Sequence, residues 1–372
     1  MQNKKFDPYS FLFSLGLLSA FFGVSVWIAF QRVYLNFFPK QIHGGLMFSA
    51  FLWPFTAGFL MTAIPKMTRT QPAHFIEVAL PFFLVITQWA LSLLDKPQLS
   101  YALYGIQIFF LISFIGRRFR SRGQTPFEGF VFIPFAFVFG LFGPIYYFLS
   151  SSQNLSFFYI FSGQIFVLNL VCGLGSRLIP ILTRVPQAIN PDVAGVRSRF
   201  LEMFLFAAFL NSSFVFEFFR MNQLAYAIRV LFLIIFSIRH LKVFLCPMVR
   251  SYVGWGIRVS IFSIILGYLL LAITKGNQLA LFHLVFIGGF TLITMMVATR
   301  VTLAHGGESL DLELNSKWIV LVVALLFVSM LLRVLAFSDL LGWTLFSSAI
   351  VFSLALGTWF FRFYRTLWLI KD

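Results

Sequence analysis

The sequence predicts an all-α integral membrane protein of about twelve transmembrane helices, and three observations carry that prediction. Of 372 residues, 60% are hydrophobic and only 11% charged, too little charge to cover a soluble protein of this size. The apolar residues come in runs of about 18 to 24, the length of helix that crosses roughly 30 Å of hydrocarbon. The basic residues sit in short segments between those runs rather than in one soluble domain. The net charge of +16 therefore reads as membrane orientation, not as a nucleic-acid surface, and no nucleic-acid partner is expected.

Taken in order, the runs fall at roughly 11–30, 44–64, 74–94, 99–116, 127–149, 155–178, 200–219, 223–246, 254–274, 279–303, 318–337 and 340–361. Backbone polar groups in lipid must be paired internally, so these runs form a helical bundle. The first lacks a small-x-small cleavage site and reads as a permanent span rather than a signal peptide. The seventh and eighth are interrupted by Arg220 and Arg229, and the eleventh and twelfth nearly abut. Residues 1–372 are expected to make one polytopic domain in contact with membrane lipids. Cys172 and Cys246 both lie within apolar runs and give no disulfide framework.

With the N-terminus inside, 21 of the 28 basic residues fall on the cytoplasmic side, so both termini are expected there. His43 and His283 then lie towards the outer leaflet, and His74, His240 and His305 towards the inner face. An internal echo accompanies this topology. Ile64-Pro65-Lys66-Met67-Thr68-Arg69 ends the second run and Ile179-Pro180-Ile181-Leu182-Thr183-Arg184 ends the sixth. Thr299-Arg300 resembles the same exit in the tenth without the proline. Three four-helix units follow as an expectation.

The tenth run, from His283 to Gly307, is the one most in need of a reason. On a continuous helix the 22 residues from His283 to His305 rise about 33 Å and return to within about 40° of the same face. Between the two imidazoles lie Gly288-Gly289, the sulfurs of Met295-Met296, and Arg300. In the second run His43, Met47, Ala50, Pro54 and Met61 share a stripe, with Pro54 weakening the helix near its middle. Two neutral imidazoles on facing helices can ligate one haem iron axially; singly, each is equally readable as an interfacial side chain. His74 reads as a capping residue beside Glu77, and His240 as a basic end residue. Asn169, Cys172 and Ser176 share a face of the sixth run, as packing polar groups or as a cavity lining. Arg177, Arg184 and Arg300 suit haem propionates or lipid phosphates, or are ordinary anchors. No nucleotide-binding, hydrolase or metalloprotease motif occurs, and the span interiors hold almost no Asp or Glu for a pump-type relay.

At these residues the chain resembles the NnrS family of haem- and copper-containing bacterial inner-membrane proteins linked to nitric oxide stress. His43, Met47 and Gly58-Phe59-Leu60-Met61-Thr62-Ala63-Ile64-Pro65 are similar to its HxHEM followed by GFLLTAxP. Arg177-Leu178-Ile179-Pro180 with Thr183-Arg184 is similar to its GRxIPxFTR. His283 through Met295-Met296, Arg300-Val301 and Ala304-His305-Gly306-Gly307 is similar to its H…MxxRVxLGHTG. The resemblance implies b-type haem and copper as cofactors, with His43, His283 and His305 as ligands and Met47 as a soft Cu(I) donor. Arg177 and Arg300 are expected, from their guanidinium chemistry, as further cofactor contacts, and the resemblance implies nitric oxide or its products as the small-molecule partner. One departure matters: the second histidine of HxHEM falls at Gly45 and the glutamate at Leu46, which weakens copper more than haem. The pair in spans two and ten is also similar to the low-spin haem ligands of haem–copper oxidases. No histidine stands in the sixth or seventh run, so terminal oxidase activity is not implied. Two other readings stand beside this one: a cofactor-free secondary transporter, drawing on the repeat and the polar faces of the sixth and seventh runs, and a family scaffold that has lost its cofactor.

Overall fold

The structure is a computed structural model that describes residues 7–31, 39–94, 96–149, 155–186, 196–276, 278–336 and 342–368. Among them, twelve helices are long and apolar enough to cross a membrane. They are α1 (Pro8–Phe30), α2 (Lys40–Thr68), α3 (Phe75–Leu93), α4 (Pro97–Arg120), α5 (Glu128–Leu149), α6 (Tyr159–Leu182), α7 (Ser198–Phe218), α8 (Asn222–Leu241), α9 (Tyr252–Ile273), α10 (Gln278–Gly306), α11 (Lys317–Leu335) and α12 (Trp343–Leu367). Each coincides with one run expected from the sequence. The eighth is shorter than its hydropathy suggests: the chain turns left-handed at Lys242 (φ 53°). Cys246 thereby falls outside any span, exposed, whereas Cys172 is buried and free.

The helices repeat in fours. In each group the first span packs on the second and the third on the fourth; the fourth packs on the first of the next group, and α12 closes the ring on α1. The second spans stand inside the ring. Their apolar windows are 78% (α2), 72% (α6) and 67% (α10) buried, against 56% for the next, α1. Rings from the three inner spans meet near the axis, Phe48 lying 5.9 Å from Tyr159 and 5.1 Å from Phe286. Lipid-facing helices such as α3 and α11 bury only 28% and leave their leucines and phenylalanines outside, as bilayer solvent permits.

Each inner span is widened by a π-helical segment in its first half: Leu46–Leu52, Tyr159–Ile165 and Leu284–Thr291. A π-helical turn inserts an extra residue and re-aims side chains, and such turns favour functional sites. Pro54 does not itself break α2. It sits at the start of the α-helical segment that follows the π turns, where a missing N–H is tolerated. The third and fourth spans of every group are tied by a buried polar contact, which prevents an orphaned polar group in lipid. Gln107 donates to Gln88 (3.2 Å), Arg229 pairs with Glu217, and Ser348 and Ser329 exchange hydroxyl-to-carbonyl bonds (2.8 and 3.0 Å).

The IPxxTR echo proves to be a helix stop. At both sites the arginine adopts the left-handed conformation (φ 54° at Arg69, 56° at Arg184). The next N–H returns to the proline carbonyl, from Thr70 at 2.8 Å and from Val185 at 3.2 Å, and the threonine hydroxyl caps the previous turn at 2.8 Å. This satisfies the orphan carbonyls of a helix end. In the third group the equivalent stop is Gly307 (φ 74°). Thr299-Arg300, expected as the third echo, lies inside α10 instead. There glycine supplies the left-handed turn at no steric cost, so the IPxxTR pattern has no role.

Candidate functional site

The ends of the bundle differ. The described part of the chain enters α1 and leaves α12 at the same end, hereafter the terminal end; His43 and His283 lie at the other, the distal end. There the inner spans part around a cavity of about 780 Å³, within the size range of cofactor and ligand sites. The π-helical segments supply much of its wall, including Met47, Phe48, Gln164 and Phe286.

His43 and His283 both line this cavity, from spans far apart in the chain. Each ring is held the same way. His43 Nδ1 lies 2.7 Å from the Gly23 carbonyl of α1, and His283 Nδ1 lies 2.7 Å from the Leu279 carbonyl one turn earlier. A carbonyl only accepts, so Nδ1 carries the proton in both rings and Nε2 keeps its lone pair. That is the tautomer, and the kind of carbonyl contact, that a metal-binding histidine uses. Met47 lines the same cavity.

His305, the third expected ligand, is not part of this site. It stands at the terminal end of α10, its ring 5.5 Å from that of Tyr9 and tilted 48° to it, with Lys66 Nζ 2.9 Å from its Nδ1 and 3.4 Å from its Nε2. An ammonium only donates, so the nearer nitrogen, Nδ1, accepts from it and the ring's lone pair is engaged by Lys66. The two ends of the run His283–Gly307 thus serve different purposes, and one cofactor cannot reach both.

Arg177 and Arg300 are also at the terminal end and do not line the cavity. Arg300 donates to Glu313 Oε1 (2.7 Å) and Arg184 to its Oε2 (3.0 Å); the Glu313 side chain is fully buried. Arg177 lies 5.3 Å from the Phe127 ring. Asn169 and Asn211 exchange amide bonds at 3.0 Å, the packing role, and neither Asn169 nor Cys172 reaches the cavity. His74 caps α3, its N–H donating to Glu77 (2.9 Å). His240 packs on Phe206 and Phe236 and lies 3.4 Å from Glu202.

Further residues line the cavity. Lys40, Arg220 and Arg333 give the cavity positive charge, and Gln164, Glu217 and Tyr226 give it a polar wall. Behind that wall Arg229, fully buried, donates to Ser213 (3.0 Å), Gln164 (3.1 Å) and Glu217. Tyr226 donates to Glu217 (3.2 Å) and Tyr268 to Gln164 (2.9 Å). Arg229 stood in the sequence as an interruption of the eighth run, and a membrane-embedded arginine was itself the available signal.

Gly45 has a structural account. Its position faces α4, not the cavity: a Cβ there would lie 3.2 Å from the Tyr101 hydroxyl, which donates to the Gln41 carbonyl (3.0 Å). Leu46 is buried. Among the described residues no three His, Cys, Asp or Glu side chains cluster so as to hold a metal ion.

A polytopic helical membrane protein with a histidine-bearing cavity at one end of a threefold bundle is the class these features define. The family is narrower: residues 7–370 match the NnrS protein family, and the chain belongs to it. No curated protein matches the chain.

Proposed function

We propose that the chain is a haem-binding protein of the bacterial inner membrane, with both termini cytoplasmic, that takes part in the response to nitric oxide or nitrosative stress. The observation that carries the haem reading is the pair His43 and His283, on one cavity with both Nδ1 protons committed to carbonyls. The wall fits a flat apolar ring, with Trp27, Phe51, Phe282 and Phe352 on it. Haem, once bound, supplies a redox-active iron whose potential follows from ligand identity and burial. The chain's own share is to hold the two imidazoles in one tautomer and to keep bulk water away with aromatic side chains. The NO connection rests on family membership. Copper has thinner support: its donors here are Met47 and the two imidazoles already assigned to iron, because the family's second histidine and glutamate are Gly45 and Leu46.

Absorption spectra and metal analysis of protein purified from a haem-sufficient host test the proposal. A Soret band is expected in the wild type, lost in both His43→Ala and His283→Ala. A band that persists in either variant removes that histidine. Solute flux into proteoliposomes without any cofactor absorbance would favour the transporter reading.

A further inference from the structure

The cavity carries one charge that nothing among the described residues answers. Arg333 is the only charged residue between Lys317 and Leu335, in an otherwise apolar span, and it reaches the cavity wall beside the histidines. It stands near enough to act electrostatically on both imidazoles. Among the described residues it makes no hydrogen bond and no ion pair, unlike Arg118, Arg184, Arg229, Arg300 and Arg362, each of which holds a carboxylate. The one acidic side chain on the wall, Glu217, is already engaged at both oxygens by Arg229 and Tyr226. The other cavity cations, Lys40 and Arg220, are exposed at the rim, whereas Arg333, in the last turn of α11, is half-buried.

A half-buried guanidinium at the end of a membrane span loses part of its hydration without gaining a counter-charge, and its planar fork matches a carboxylate. We infer that Arg333 is the anchor for a carboxylate of the cavity's ligand, so the site selects a flat apolar molecule carrying an acid group over its neutral analogue. Resting on the haem reading above, this assigns a haem propionate to Arg333 and withdraws that role from Arg177 and Arg300. The alternative source of the same chemistry is a small free carboxylate beside the haem.

The full chain, purified in detergent without haem, is titrated with haem and with haem dimethyl ester, in which the propionates are neutral. Wild type is expected to prefer the free acid by about 10- to 100-fold, the worth of one or two charge-assisted hydrogen bonds. Arg333→Met should reduce the preference to within about threefold while keeping the Soret position, since the imidazoles are untouched. Arg333→Lys should retain part of it, and Arg117→Gln, at the terminal end, all of it. Equal uptake of both compounds by wild type, or a preference unchanged in Arg333→Met, overturns the assignment and leaves the haem reading standing. The wild-type comparison decides even if the methionine variant fails to fold. If wild type takes up neither compound, the haem reading itself falls, and the inference with it. A diester that binds as tightly as haem only when acetate is added would assign Arg333 to a free carboxylate instead.

Discussion

The two ends of the bundle use the same residue types to opposite effect. At the terminal end a histidine, a lysine and several arginines consume one another or find acids. The His305 lone pair accepts a hydrogen bond from Lys66, Glu313 holds Arg184 and Arg300, and Glu77 holds Arg117 and Arg118. At the distal end two histidines are oriented by carbonyls, keep their second nitrogens, and face a cavity with an unanswered arginine. A residue's chemistry is set by what its neighbours have already claimed. Identity alone would rank His43, His283 and His305 equally; the hydrogen bond at Nδ1 separates them.

The comparison breaks most visibly at the histidines. His305→Ala should leave the Soret band intact, where His43→Ala and His283→Ala abolish it; loss of the band in all three variants would erase the distinction between the ends. A smaller but still large effect is expected from Glu313→Gln. It leaves two arginines facing a buried site without a carboxylate and should cost about 2–4 kcal/mol, below the full value for a buried pair because both arginines are partly exposed. Chemical or thermal unfolding in detergent reads this cost, and the haem spectrum should not move. Restoring the family motif by Gly45→His should cost about 1–3 kcal/mol through overpacking against Tyr101 and should add no copper. Metal analysis showing a stoichiometric gain of copper would place that position on the cavity after all.

The smallest effect concerns Glu308, beyond the end of α10. Burial pushes its carboxyl up, but hydrogen bonds and charge from Arg362 and a hydrogen bond from Thr366 outweigh this and hold it below the usual carboxylate range. A carboxyl lowered on folding stabilises the fold above its unfolded pKa and loses that contribution as pH falls through the folded value. Glu308→Gln should therefore cost a few tenths of a kcal/mol at neutral pH. The gap to wild type should close under acid; a gap that widens there reverses the assignment of sign.

All twelve spans were legible because lipid imposes one rule on every residue of a run, and a simple average detects it. The pair His43 and His283 was legible through motif and span position. The cavity was not, because it depends on π-helical segments that change helical phase within α2, α6 and α10, and hydropathy carries no trace of them. The fates of His305, Arg177 and Arg300 were hidden for another reason. Their partners, Lys66, Phe127 and Glu313, come from other elements of the chain, and only the fold brings them together. Arg333 was visible as a lone charge in a span, yet only the fold shows that no acid among the described residues meets it.

The threefold plan also fixes when the site can come into being. Its histidines belong to the first and third groups, the parts of the ring that meet across the closure of α12 on α1, so His43 spends synthesis without its counterpart. The cavity joins spans far apart in sequence, which makes this a high-contact-order site on an otherwise locally connected scaffold. Loading of the cavity would then report that the whole ring has closed, and a chain stopped after α8 would carry the first imidazole with nothing opposite it.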